Sequence, residues 1–161
     1  MSNTMLSIAA VTVLVLGSTS VMAQSPATVQ HEAIITPLLS YQNALNASDV
    51  DQVINLYTQD AVFMPQNHLP AVGIEHIRQV YSDIFKLIKL NVKFTIDEVK
   101  PIGADWAYVQ TRSAGTTQLL QTATLVTLSE ANQEVFLMHR ESNGKWRIAR
   151  YIFSTTNPPK Q

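Results

Sequence analysis

The chain has no cysteine in 161 residues. Disulfides, thiol catalysis and thiolate metal sites are therefore excluded, and packing alone must hold the core. Charge is also scarce. Lys and Arg number 11 against 12 Asp and Glu, a formal net charge of −1. That balance lacks the basic footprint of a nucleic-acid binder. Glycine is rare as well, with 5 in the whole chain. Long apolar runs are confined to one place, Met5 to Leu16.

That run reads as the hydrophobic stretch of an export signal. It is shorter than the roughly 20 residues a membrane-spanning helix needs. Val21 and Ala23 supply the small residues a signal peptidase reads, so cleavage is expected before Gln24. The preceding Met-Ser-Asn-Thr departs from the usual pattern in having no Lys or Arg. The expected product is exported, periplasmic or secreted. Its organisation is a signal peptide over 1–23, a flexible leader over 24–30 and one domain over 31–158.

Ile34, Leu38, Tyr41 and Leu45 recur at helical spacing and line one face. Pro37 leaves two readings: a kinked helix, or a helix that Thr36 caps with Pro37 in its first turn. Ser48 reads as the N-cap of a short second helix, with Val50, Val53, Ile54 and Tyr57 on its apolar face. Residues 61–64 read as a strand and 65–73 as a loop. A third helix over 75–90 buries Ile77, Tyr81, Ile84, Phe85 and Ile88.

From Val92 the period changes to two. Val92, Phe94, Ile96 and Glu98 share one side of a strand. Residues 106–118 read as a long strand. Residues 119–130 read either as a strand, on their threonine content, or as an irregular excursion. Asn143-Gly144 is a strong hairpin turn between the last two strands. With those two residues as the turn, Arg140 faces Arg147, His139 faces Ile148 and Leu137 faces Arg150. Helices gathered before a mainly antiparallel sheet give an α+β domain.

The order of elements and three stretches carry a resemblance: YQNALNASDVDQVINLYTQDAVFM at 41–64, GIEHIRQVYSDIF at 73–85 and NGKWRIARYIFS at 143–154. They resemble the NTF2-like superfamily, in particular its SnoaL-like and DUF4440-type (SgcJ/EcaC-like) branch. With the strands between them they extend over Ile34 to Pro158. The resemblance implies a cone in which three N-terminal helices pack into a curved sheet around an internal cavity. It also implies a homodimer through the outer sheet face. Isomerases, dehydratases, cyclases, epoxide hydrolases and non-catalytic binders share this architecture, so fold alone does not choose among them. In the ketosteroid isomerase branch an oxyanion-donor tyrosine stands where Tyr41 stands here. That branch's general-base aspartate falls on residues 61–65, which hold no carboxylate. Its second acid falls near Phe136, Leu137 and Met138.

Candidate residues follow. Tyr41 either packs in the core or donates a hydrogen bond into a pocket. His139 and Arg150 share a hairpin face in the expected register. They read as an acid–base or anion-binding pair, as rim residues exposed to solvent, or as ion-pair partners of Glu134 or Asp97. Trp106, Tyr108, Gln110 and Arg112 alternate on one strand face, which suits a pocket or a dimer face equally. Tyr57, Phe63 and Tyr81 complete the expected pocket lining. His31, His68, His76 and His139 lack the spacing of a helical metal site. No metal and no cofactor are expected. The expected partner is a small apolar or partly polar molecule. The leading reading is a dimeric small-molecule binder. One alternative is an isomerase, dehydratase or cyclase that uses His139 as base with Tyr41 as polarising donor. The other is a dimeric interaction scaffold with a filled cone.

Overall fold

The computed structural model describes residues 25–158. The export leader expected over residues 1–23 lies outside the described residues. Element order is α1 (Pro26–Ala47), α2 (Val50–Ile54), β1 (Tyr57–Met64), β2 (Ala71–Val72), α3 (Ile74–Leu87), β3 (Ile88–Ile102), β4 (Trp106–Leu119), β5 (Val126–Arg140) and β6 (Trp146–Thr155). One curved six-stranded sheet runs in the order β2-β1-β6-β5-β4-β3. All neighbours are antiparallel except β1 and β6, which are parallel.

Helix α1 starts earlier than the leader reading implies. Ser25 caps it, accepting from the Thr28 amide, with Pro26 in the first turn. Residues 26–30 are therefore helical. The helix runs through Pro37, so Thr36 is no cap. Its hydroxyl instead bonds back to the Glu32 carbonyl at 2.8 Å. Ile34, Leu38, Tyr41, Ala44 and Leu45 form its buried face.

Ser48 is the left-handed C-cap of α1 (φ 54°), and Asp49 is the N-cap of α2. The capping role expected of Ser48 thus moves one residue on. Helix α2 lasts five residues, and Tyr57 opens β1 rather than sitting on a helix face. Residues 71–72, expected in a loop, pair with β1. Helix α3 ends at Leu87, and Ile88 already belongs to β3.

Strand β3 inverts its faces midway. Ile96 pairs with Thr111 and Glu98 with Gln110, leaving Asp97 as a bulge. Glu98 therefore leaves the inner side, and Val99 packs against the core instead. A second bulge shifts the final hairpin. Arg140 pairs with Trp146, His139 with Arg147 and Met138 with Ile148, one residue off the expected register. Beyond that bulge Leu137 does pair with Arg150.

The core fills the concave side of the sheet. Phe136, Met138, Ile148 and Tyr151 face the buried stripe of α1 and the Ile77 and Tyr81 positions of α3.

Candidate functional site

Helices α1 and α3 do not fill the concave face completely. Between them, β1 and the far halves of β3 to β6 lies a cavity of about 340 Å³. Phe63, Ile84, Leu90, Phe94 and Phe153 form its apolar wall. Tyr41, Tyr81, Tyr151, Ser113, Asn132 and Glu134 bring polar atoms to it.

Three tyrosines from three elements meet behind this wall. The Tyr57 hydroxyl lies 2.9 Å from that of Tyr81, and the Tyr41 hydroxyl bonds the same oxygen. Tyr81 is therefore the hub. The rings cross edge to face around Tyr41, 6.1 Å from Tyr57 and 6.3 Å from Tyr81, an arrangement favoured by their quadrupoles. Phe63 stacks on Tyr81 at 5.2 Å and on Tyr151 at 5.3 Å. Burial first pushes all four tyrosines well above the ordinary phenol pKa, with neighbouring tyrosines adding to the rise for Tyr41, Tyr57 and Tyr81 and the Glu134 charge adding to it for Tyr151. They are neutral hydrogen-bonding groups, not bases.

Glu134 is the buried carboxyl of the cavity. It sits on the inner face of β5, opposite Thr111 of β4 and Phe153 of β6, and is 3% exposed. The Thr111 and Ser113 hydroxyls donate to its two oxygens. Burial raises its pKa, the two hydroxyls oppose that, and the negative charges of Asp97 and Glu130 add to the rise. One step along the strand, the Asn132 amide nitrogen donates to Glu130 at 2.9 Å and to Ser113 at 3.4 Å. Its carbonyl oxygen is buried and, among the described residues, has no partner. The site therefore offers a bound molecule a buried carboxyl, whose pKa burial raises, and a free acceptor.

Tyr41, Phe63 and Tyr81 line the cavity as expected, while Tyr57 stands one shell back, bonded to Tyr81. The other candidates lie elsewhere. The inner positions of β4 are Ala107, Val109, Thr111 and Ser113, all buried. Only such small side chains leave room for helices and cavity. The bulkier alternation, Trp106, Tyr108, Gln110 and Arg112, is thereby turned to the convex face. There Arg112 pairs with Asp97 at 2.8 Å, and the Tyr108 hydroxyl donates to Gln110 at 3.1 Å.

His139 and Arg150 also lie on the convex side. The His139 ring packs on Trp106 at 4.4 Å. Arg150 donates to the Ala149 carbonyl at 2.7 Å and the Asp60 carbonyl at 3.2 Å, with the Asp60 carboxylate 3.7 Å away. Neither residue pairs with Glu134 or Asp97. Tyr41 and His139 are separated by the sheet and form no catalytic pair. Sequence reasoning treated Glu134 only as an ion-pair partner and passed over Asn132. The readable signal was the two-residue period: Asn132, Glu134, Phe136 and Met138 share one face, and two of those are core residues.

The SnoaL-like domain family matches residues 38–149. A ketosteroid isomerase-like protein from Erwinia carotovora atroseptica superposes with a TM-score of 0.73 at 34% identity, over 78% of this chain and 95% of that one. An NTF-2 like protein of unknown function from Shewanella oneidensis superposes with 0.60 at 20% identity, over 78% and 98%. A type 2 hexachlorocyclohexane dehydrochlorinase reaches 0.71 at 10% identity, over 81% and 88%, a likeness of fold alone. No curated protein matches the chain.

Proposed function

Because this chain belongs to the SnoaL-like domain family, we propose that it is an exported binder of a small, mostly apolar molecule whose polar end docks against Glu134 and Asn132. Ligand binding or isomerase-type chemistry is what the fold suggests. The observation that carries the binding reading is the cavity, about 340 Å³ with an apolar wall and one polar end. That volume falls in the lower part of the range for small-molecule sites, about 300–1,000 Å³. A filled scaffold would have no such space, and an unpartnered buried acceptor costs free energy until something meets it.

The test is binding of prodan, a neutral dye whose emission moves to the blue in apolar surroundings, to residues 24–161. Blue-shifted, saturable emission is expected, and Ile84→Trp should abolish it by filling the cavity. Saturation absent in the unaltered protein would return the chain to the scaffold reading.

A second reading rests on Glu134. A carboxyl with raised pKa in an apolar cavity is the kind of group that moves protons, and it takes the role once assigned to His139. Solvent deuterium entering a bound enolisable ketone would mark such chemistry. Ile102, Trp106 and Ile152, exposed on the convex face at 52%, 39% and 46%, support docking of a second copy there. Sedimentation of the Trp106→Lys variant against the unaltered chain tests that dimer.

A further inference from the structure

We infer that the polar end of the ligand is a protonated amine, held by Asn132, Glu134 and Glu130. This rests on the binding reading above and narrows it to a ligand class: an apolar or aromatic body carrying one cationic donor group.

The first observation is the orientation of Asn132. Its amide nitrogen is held by Glu130 at 2.9 Å and Ser113 at 3.4 Å. Flipping the amide would set its oxygen against the Glu130 carboxylate, so the orientation is fixed by its partners. The carbonyl oxygen is therefore the atom left free, on a residue 9% exposed that lines the cavity. It can be satisfied only by a donor.

The second observation is what the remaining groups can offer. The hydroxyl protons of Thr111 and Ser113 are already committed to Glu134, and that of Thr117 to Glu130 at 2.7 Å. The Tyr41, Tyr57 and Tyr81 hydroxyls bond one another. Among the described residues no Lys or Arg lines the cavity, and the histidine that does, His68, sits on the exposed rim. The Tyr151 hydroxyl and the Gln66 amide nitrogen, whose partner oxygen accepts from the Thr155 amide, are the donors left on the lining; beside Asn132 the polar end is rich in acceptors and carries two carboxyl groups. An anionic head would meet both. An ammonium has three donors and no acceptor, which matches this set.

The third observation is the wall. The stacked faces of Phe63, Tyr151 and Phe153, with centroids 5.3 to 6.1 Å apart, stand beside the carboxyls. Aromatic faces attract cations, and most strongly where water is excluded.

Proton balance follows. Glu134 faces Glu130 on its own strand, Thr111 and Ser113 on β4 and Tyr151 on β6. Asp97, ion-paired to Arg112, acts on it from β3. None of these brings a positive charge to it, so its carboxyl holds its proton more firmly than a solvated one. An arriving ammonium reverses that. At pH values where Glu134 holds its proton, that proton leaves to solvent and the O–H is replaced by an N–H donor contact; no other bond changes.

The test uses three ligands with one ring and different heads: tryptamine, tryptophol and indolepropionate, titrated into residues 24–161 by calorimetry. Tryptamine should bind at least about tenfold more tightly than tryptophol, the range expected of a charge-assisted contact. Indolepropionate should bind weakest. Tryptamine affinity should rise with pH across the Glu134 titration while the amine stays charged. Its binding heat should change with the ionisation heat of the buffer, which reads the released proton directly. Glu134→Gln, checked for native circular dichroism, should lose both the proton release and the preference for amine. Prodan separates the two levels of inference. If prodan binds but tryptophol or indolepropionate matches tryptamine, the amine inference falls and the binding reading stands. If the unaltered protein takes up neither prodan nor tryptamine, both fall.

Discussion

The His139 imidazole lies 4.4 Å from the Trp106 indole, centroid to centroid, on the side of the sheet away from the cavity. The two face each other across β4 and β5, where inner and outer positions alternate strictly. Any chemistry in the cavity must therefore proceed without His139. His139→Ala is expected to leave cavity binding, measured with prodan, unchanged within about twofold, as for a surface substitution far from the ligand. It should alter Trp106 fluorescence, because the ring contact is lost. Abolished ligand binding would show that the convex face reaches the site.

Tyr81 is the hub of the buried hydroxyl network, so its loss should be felt twice. Tyr81→Phe leaves the Tyr41 and Tyr57 hydroxyls without their shared partner. An unsatisfied buried hydroxyl costs about 1–3 kcal/mol, and urea unfolding should show a loss in that range. The cost of Tyr41→Phe in the Tyr81→Phe background should be smaller than in the unaltered protein, because the partner is already gone. Strict additivity of the two would mean that the hydroxyls do not interact.

Gly115 is required by the neighbouring strand. It pairs with Val92, and a β-carbon placed on it would lie 2.0 Å from the Asn91 carbonyl oxygen and 2.8 Å from the Val92 α-carbon. Both are backbone atoms, which cannot turn aside as a side chain does. Gly115→Ala must push β3 away from β4 beside the cavity wall. A loss of about 1–3 kcal/mol or more is expected from such overpacking, read as a lowered urea midpoint. An unchanged midpoint would show that the two strands approach less closely.

Ser48 adopts the left-handed conformation at the end of α1, with φ 54° and ψ 36°. A β-carbon makes that conformation costly, and glycine removes the cost. Ser48→Gly is expected to stabilise the protein by about 0.5–1 kcal/mol, less whatever flexibility it adds to the unfolded chain. Thermal unfolding reads the result. A clear loss would mean that the serine hydroxyl holds the junction with α2.

These residues show which parts of the fold were legible beforehand. The helix faces were, because Ile34, Leu38, Tyr41 and Ile77 repeat at the helical period and are all buried. Strand faces were legible only between bulges. Asp97 and the irregularity beside Met138 each shift the chain by one residue, and a one-residue slip exchanges the two faces of a strand. Glu98 was therefore misplaced, and so was His139 relative to Arg147. Tyr41, Phe63 and Tyr81 were legible as cavity lining, and the β4 residues were not, for a different reason. Trp106, Tyr108, Gln110 and Arg112 on β4 suited a pocket or a dimer face equally, and the structure turns them outward while the small Ala107, Val109, Thr111 and Ser113 face inward. Cavities are lined by what leaves space, and local pattern does not record that. Glu134 stands on the core face with Phe136 and Met138, and that shared two-residue period is the signal that was readable.

That carboxyl makes stability depend on pH in a definite direction. Glu134 holds its proton more tightly folded than unfolded, through burial first and then the charges of Asp97 and Glu130. Its contribution is thus fully present below the unfolded carboxyl pKa of about 4.3 and is lost as pH rises through the higher folded value. Glu134→Gln cannot titrate and keeps nearly the same shape. Asp97 has the opposite shift, lowered by Arg112; being present in both proteins, it largely cancels when they are compared. The unfolding free energy of the unaltered protein minus that of the variant should therefore fall as pH rises from acid toward neutral, then level off. Urea unfolding at a series of pH values without ligand gives this difference. A flat line would mean that Glu134 titrates as a solvated carboxyl, while a rising line would mean that an unrecognised cation stabilises its charge.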